Sequence, residues 1–377
     1  EGTDKLTNIE RIHFSDNVDV DIIQSNDATI TVPNPNPGNT GISIVVGGDA
    51  NQTINGGTGN DEISGAGGND AINGGDGTDT AIYSGASSSA LFELASGNVR
   101  ITSRVMPSAT NPNPGNNTNP GGVGTETGAA TSTPDGTDTL TSIEKLQFID
   151  GTFDLVGGAN GGANTLSYSG ANRALLFGGG GNDSLTGGSH DDVLTYTASG
   201  NASTNQSTGG GRDFMDGGTN DALGDRAVIN GDASTEKIRI YAVNGLSNSQ
   251  RTELNTLIGG NGALNANTKI AILRAIQTNA AQTPSLNNSN DYRVIAELAN
   301  IEEITVNLAS QATTTFLGQT VNIGTQSVTV IGNFNNTGLR TNTITIETEG
   351  NTVVDVTGIE SEHRVVVQSS GSGNSII

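Results

Sequence analysis

Residues 47–85 decide the fold. They read GGDANQTIN (47–55), GGTGNDEIS (56–64), GAGGNDAIN (65–73), GGDGTDTAI (74–82) and YSG (83–85). Asp61, Asp70 and Asp79 recur at the same phase, and so do Ile54, Ile63 and Ile72. Glycine and aspartate fill one half of each nonapeptide and an aliphatic residue marks the other. That is the pattern of a stacked coil, a turn followed by a short strand. Glycine supplies the positive φ angles and close packing of such turns at least steric expense. One coil cannot bury its aliphatic residue alone, so several must stack.

The turns point carbonyl oxygens into the gap between coils, and each aspartate adds a carboxylate. Calcium takes about six to eight hard oxygen ligands and accepts that mixture. Without a cation the facing aspartates repel, and a glycine-rich polar chain has little core to hold it. The stretch resembles the repeats-in-toxin (RTX) family of secreted bacterial proteins. GGTGNDEIS and GAGGNDAIN fit that family's consensus closely, and GGDGTDTAIYSG (74–85) resembles its closing repeat. Gln52 departs from it, standing where the first repeat should have an aspartate.

The resemblance implies calcium between repeats n and n+2, which pairs Asp61 with Asp79 and leaves Asp70 facing Gln52. It also implies backbone carbonyl ligands at Gly56, Thr58, Asn60, Gly65, Gly67, Asn69, Gly74, Asp76 and Thr78. A second, irregular roll follows in GGGGNDSLT (178–186) and GGSHDDVLT (187–195), with Asp183 and Asp192 in phase. Its carbonyl ligands would be Gly178, Gly180 and Asn182. A polar insert then breaks the period, and GGRDFMD resumes it with Asp213. GGTNDALGDRAVING (217–231) resembles a closing repeat with extra residues, Asp225 standing where Asp79 stood. If the insert loops out, Asp183 pairs with Asp213, and Asp192 with Asp221 or Asp225. His190 reads as a turn residue, because calcium prefers oxygen.

A second motif recurs around the rolls. Residues 2–16, GTDKLTNIERIHFSD, match residues 136–150, GTDTLTSIEKLQFID, and a reduced copy, LANIEEITV, spans 298–306. Its alternation of Ile9, Ile12 and Phe14 with polar neighbours reads as a structural cap on the roll. PNPNPG (33–38) and NPNPGNNTNPGG (111–122) read as surface loops, since proline fixes φ and removes a donor. SNSQRTELNTLI (247–258) and NTKIAILRAIQTNAA (267–281) have apolar residues at helical spacing, and read as an inserted helical hairpin. Residues 303–377 read as short strands of a β-sandwich or of a continuing β-stack.

The expected fold is therefore mostly β: two calcium-binding parallel β-rolls linked by β-strand or sandwich segments, with one small helical hairpin. The expected parts are the end of a preceding module (1–46), the first roll (47–85), a β segment with cap motif (86–160), the second roll (161–231), a β segment with the hairpin (232–309) and a C-terminal β domain (310–377).

Composition narrows the function. The chain has 39 acidic and 16 basic residues, a net charge of −23, which disfavours nucleic acid and anionic membranes as partners. It has no cysteine, excluding disulfides and thiolate chemistry. No signal peptide opens it, and no apolar run is long enough to span a bilayer. The abrupt start at Glu1 reads as a piece of a longer protein. The three histidines are His13, His190 and His363, far apart, and HExxH, GxSxG and P-loop motifs are absent. The expectation is a non-enzymatic structural protein of the bacterial exterior: a surface-layer, filament or matrix subunit. It would be folded by Ca2+ after type I-like export, with itself and a cell-surface polysaccharide as partners. The other expectation is the C-terminal RTX region of an exoenzyme, toxin or adhesin.

Overall fold

The computed structural model describes residues 11–13, 19–32, 42–95, 97–103, 124–125, 135–157, 162–197, 211–231, 237–259, 262–275, 292–308, 313–316, 319–322, 326–348, 351–369 and 374–377. The chain divides into two compact units, Glu1–Ser108 with Gly128–Leu155, and Ala109–Thr127 with Val156–Ile377. Both proline-rich segments, and most of the first copy of the cap motif, lie outside the described residues.

In the first unit successive strands alternate between two sheets. One sheet holds Asp19–Gln24, Ile42–Val46, Glu62–Ser64, Thr80–Ile82 and Lys145–Phe148, all parallel. The other holds Thr29–Thr31, Thr53–Thr58, Ala71–Asp76 and Thr137–Thr141, also parallel. This is a parallel β-roll, and the aliphatic positions of the nonapeptides stack inside it. Ile30, Ile54, Ile72 and Leu140 lie in register on one wall. Val45, Ile63, Ala81 and Leu146 do so on the other. All eight are buried. The antiparallel strands Ala90–Ala95 and Asn98–Ser103 are inserted before Thr137–Thr141 and pair with it. The roll's end is filled by Tyr83, Phe92, Phe148 and Phe153, with Tyr83 stacked on Phe148.

The second unit is built in the same way. Thr165–Ser167, Ser184–Thr186, Asp213–Asp216 and Tyr292–Ala299 run parallel. Opposite them run Arg173–Phe177, Val193–Thr197, Arg226–Asn230, Glu303–Asn307, Ile344–Thr348 and Val365–Ser369. Leu185, Met215, Leu298, Leu176, Leu194, Ala227, Ile304, Ile344 and Val365 share one buried core. Glu303–Asn307, Ile344–Thr348 and Val365–Ser369, with Gln326–Gly332 and Thr352–Ile359 in the other sheet, therefore continue the stack of parallel strands beyond the last nonapeptide, while Thr313–Phe316 and Gln319–Asn322 pair antiparallel with each other.

Of the expected helical hairpin, the first arm is helical and the second is not. The first arm is the helix Asn248–Ile258, started by a capping box in which Gln250 N–H donates to Ser247 Oγ and Ser247 N–H to Gln250 Oε1. The second arm is instead the strand Ile270–Ala275, antiparallel to both Lys237–Ala242 and Tyr292–Ala299. Residues 276–281 lie outside the described residues. The strand is buried on both faces. Ile270 and Ile272 face the main core, while Ala271, Leu273 and Ala275 pack with Leu254 and Leu257 of the helix. A strand covered on both sides carries no polar alternation, so its apolar run mimics helical spacing.

Candidate metal centre

The aspartates of the nonapeptides form vertical columns. Ser43 N–H donates to Asp61 Oδ1 at 2.9 Å, and Asp61 N–H to Asp79 Oδ1 at 2.8 Å, each step spanning two coils. Asp79 N–H donates in turn to Glu144 at 2.8 Å. In the neighbouring column Gln52 N–H donates to Asp70 at 2.7 Å and Asp70 N–H to Asp138 at 2.9 Å. The second unit repeats both columns. Ala174 N–H donates to Asp192 (2.6 Å), Asp192 N–H to Asp225 (2.7 Å) and Asp225 N–H to Glu302 (2.8 Å). Asn164 N–H donates to Asp183 (2.8 Å) and Asp183 N–H to Asp213 (3.0 Å).

The structure thus brings Asp61 to Asp79, Asp183 to Asp213 and Asp192 to Asp225. Asp221 lies outside the columns, where it meets His190 Nδ1 at 2.8 Å. Three further acids of the columns, Asp138, Glu144 and Glu302, lie in the cap motif at 136–150 and 298–306. Their signal is an acid two residues before a core aliphatic, as in Asp138-x-Leu140 and Glu144-x-Leu146, the same spacing as Asp70-x-Ile72.

Asparagine side chains form a second ladder beside the acids. Asn60 Oδ1 accepts Thr78 N–H at 2.8 Å, Asn69 Oδ1 accepts Thr137 N–H at 2.8 Å, and Asn182 Oδ1 accepts Arg212 N–H at 3.0 Å. Two of the expected carbonyl ligands also carry hydrogen bonds. Asp76 O accepts Gly59 N–H at 2.8 Å, and Gly178 O accepts Asn164 Nδ2 at 3.0 Å.

One carboxylate oxygen of each aspartate is used by its column. The Oδ2 atoms of Asp61, Asp70, Asp79, Asp183 and Asp225 are buried without any hydrogen-bond partner. A buried, unpaired anion is among the costliest groups a fold can hold. These oxygens look into cradles that only glycine leaves open. A Cβ on Gly56 would lie 2.7 Å from Asp61 Oδ2 and 2.4 Å from the Gly74 carbonyl oxygen. On Gly65 it would lie 2.2 Å from Asp70 Oδ2, and on Gly178 2.3 Å from Asp183 Oδ2. The residues present therefore fit a hard cation, with carboxylate and carbonyl oxygens converging on spaces without side chains. Among the described residues no three acidic or histidine side chains converge, so backbone oxygens must belong to any such site.

Gln52 marks the exception. Its Oε1 accepts Gly48 N–H at 2.8 Å, and its Nε2 donates to the carbonyls of Ser25 and Asp27 at 3.2 and 2.7 Å. A neutral amide here supplies the donor that a cation would otherwise have to replace. Asp192 differs too, because Gly188 N–H donates to its Oδ2 at 2.6 Å.

The electrostatics agree with the geometry. Burial pushes the carboxyls of Asp70 and Asp79 up to about 6, against the opposing effect of the backbone N–H each accepts. Asp138 is pushed up to about 7, Asp225 to about 8 and Asp213 to about 9, burial again being the main cause and the next acid of the column adding to it. Asp61, Asp183 and Asp192 shift upward for the same reason. Each column favours protons until another positive charge replaces them.

No curated protein matches this chain. Among solved structures it is similar to the extracellular lipase LipA from Serratia marcescens, at 15% identity over 78% of this chain and 38% of that one, with a TM-score of 0.23. The chain spans less than half of that lipase's length. The family model described as the RTX calcium-binding nonapeptide repeat (4 copies) matches at residues 46–81 and 168–198. Those residues include Asp61, Asp70, Asp79, Asp183 and Asp192 of the columns, so the chain carries RTX nonapeptide repeats, which bind calcium.

Proposed function

We propose that this chain is a calcium-folded structural protein of the bacterial exterior, a subunit of a surface layer, filament or matrix. The observation that carries the calcium part is the set of five buried, partnerless carboxylate oxygens facing glycine cradles. Asp61, Asp70, Asp79, Asp183, Asp192, Asp213 and Asp225 hold the ions, together with turn carbonyls such as that of Gly74. Bound calcium supplies the counter-charge and the oxygen coordination that these groups lack. The columns align the carboxylates, the glycines keep side chains out of the cradles, and the stacked aliphatics bury the coil walls. The chain then stays unfolded at low calcium, which suits export, and folds outside the cell where calcium is abundant.

The structural part rests on repetition. Each unit carries a roll closed by a similar motif, Leu140–Leu146 in one and Leu298–Ile304 in the other. Negative-stain electron microscopy in millimolar calcium, and again after chelation, tests it. Ordered arrays or fibres that dissolve on chelation are the expected result. A folded chain that stays monomeric in calcium removes the structural reading, and leaves the rolls as the folding and export module of an exoenzyme, toxin or adhesin.

A further inference from the structure

Each roll ends on a turn that copies the interior cradle with different residues. Inside the first roll, the space over Gly56 is shared by Asp61 Oδ2 and the Gly74 carbonyl. At the end, a Cβ on Gly74 would lie 2.4 Å from Asp79 Oδ2 and 2.2 Å from the Ser142 carbonyl oxygen. Ser142 thus places a carbonyl where another repeat would place that of its first glycine. Glu144 takes the place of the next aspartate, accepting Asp79 N–H at 2.8 Å just as Asp79 accepts that of Asp61.

The second unit does the same independently. Within its roll the space over Gly187 meets Asp192 Oδ2 at 2.6 Å and the Gly217 carbonyl at 2.3 Å. At its end the space over Gly217 meets Asp225 Oδ2 at 2.4 Å and the Asn300 carbonyl at 2.1 Å, while Glu302 accepts Asp225 N–H at 2.8 Å. Ser142 and Asn300 both adopt positive φ, +48° and +49°, a left-handed turn that a side chain disfavours. Asp79 and Asp225 are fully buried, 0% exposed, and the Oδ2 of each has no partner. A cap that only satisfied the aspartate's N–H would leave that buried charge unanswered.

We propose that the closing motif completes a terminal calcium site in each roll, with Glu144 joining Asp79 and the Ser142 carbonyl, and Glu302 joining Asp225 and the Asn300 carbonyl. The inference rests on the calcium reading of the rolls and extends it to residues outside the nonapeptides. The motif is then both the last coil and the last half of a binding site.

The test is calorimetric titration of the full chain with calcium chloride, comparing the unchanged protein with Glu144→Gln and Glu302→Gln. Glutamine keeps an acceptor for the aspartate N–H and removes the charge. Each variant is expected to bind one ion fewer, or to bind one ion at least about tenfold more weakly, with the β signal in saturating calcium unchanged. Variants that match the unchanged protein in number and affinity of ions overturn the inference while leaving the interior sites standing. Failure of the unchanged protein to bind calcium overturns the calcium reading itself. If the variants do not fold, terbium-soaked crystals of the unchanged chain decide. An anomalous peak about 2.3–2.6 Å from oxygens of both Asp79 and Glu144 supports the site, and peaks confined to interior turns refute it.

Discussion

Asp61 is a buried carboxylate with one oxygen bound to Ser43 N–H and the other facing a cradle. Asp61→Asn keeps the first contact and removes the charge. It is expected to raise the calcium midpoint of folding about tenfold, roughly 1.4 kcal/mol. An unchanged or lower midpoint would count against the account. The pH dependence follows from the same burial. Folded, ion-free Asp70, Asp79, Asp225 and Asp213 hold their protons up to about 6, 6, 8 and 9, against an ordinary value of 3.8. The folded state therefore binds more protons than the unfolded one between those values. Its stability rises as pH falls from about 9 toward 4 and is lost as pH rises through the same window. In chelator the β signal should be stronger at pH 5, where protons stand in for the ions, than at pH 8; an equal or weaker signal at pH 5 contradicts the burial of these groups. The nonapeptide period made Asp61, Asp70, Asp79, Asp183 and Asp192 legible in the sequence, and looping out the insert added Asp213 and Asp225. It did not reveal Asp138, Glu144 or Glu302, because an inserted hairpin precedes the first two and the motif's alternation resembles an ordinary capping strand. The register against Ala71–Asp76 and Thr80–Ile82 is what identifies Thr137–Phe148 as one more coil.

At the scale of elements, spacing alone misreads the stretch 267–281. Ile270, Leu273 and Ile276 suggest a helical stripe, on which Ala271 would point to the opposite, wet face. In the strand Ile270–Ala275, Ala271 is 0% exposed and packs beneath the helix Asn248–Ile258. Ala271→Asp is therefore expected to destabilise the second unit by at least about 3 kcal/mol, as a buried charge without a partner does. A melt within about 0.5 kcal/mol of the unchanged protein, the usual range for surface changes, would sink the strand assignment. The helix itself was legible because its capping box and its buried Leu254 and Leu257 are local signals. The strand was not, because its burial depends on partners distant in sequence, Lys237–Ala242 on one side and Tyr292–Ala299 on the other. The strands of 303–377 were legible as those of a sandwich or of a continuing stack, but the choice between the two was not, since no glycine–aspartate period marks their turns.

At the scale of the whole molecule, a net charge of −23 and an aromatic content of 3% leave the chain little to hold it together without cations. The aliphatic stacks are one residue wide on each wall of the first roll, and the carboxylate columns run alongside them. On the proposed reading folding and ion binding are a single equilibrium, and removing the ions removes the fold. The most direct measurement is far-ultraviolet circular dichroism of the full chain, titrated with calcium after thorough chelation. The account expects the β signal to be lost in chelator and to return cooperatively in millimolar calcium, whereas a β signal unchanged by chelation would contradict it.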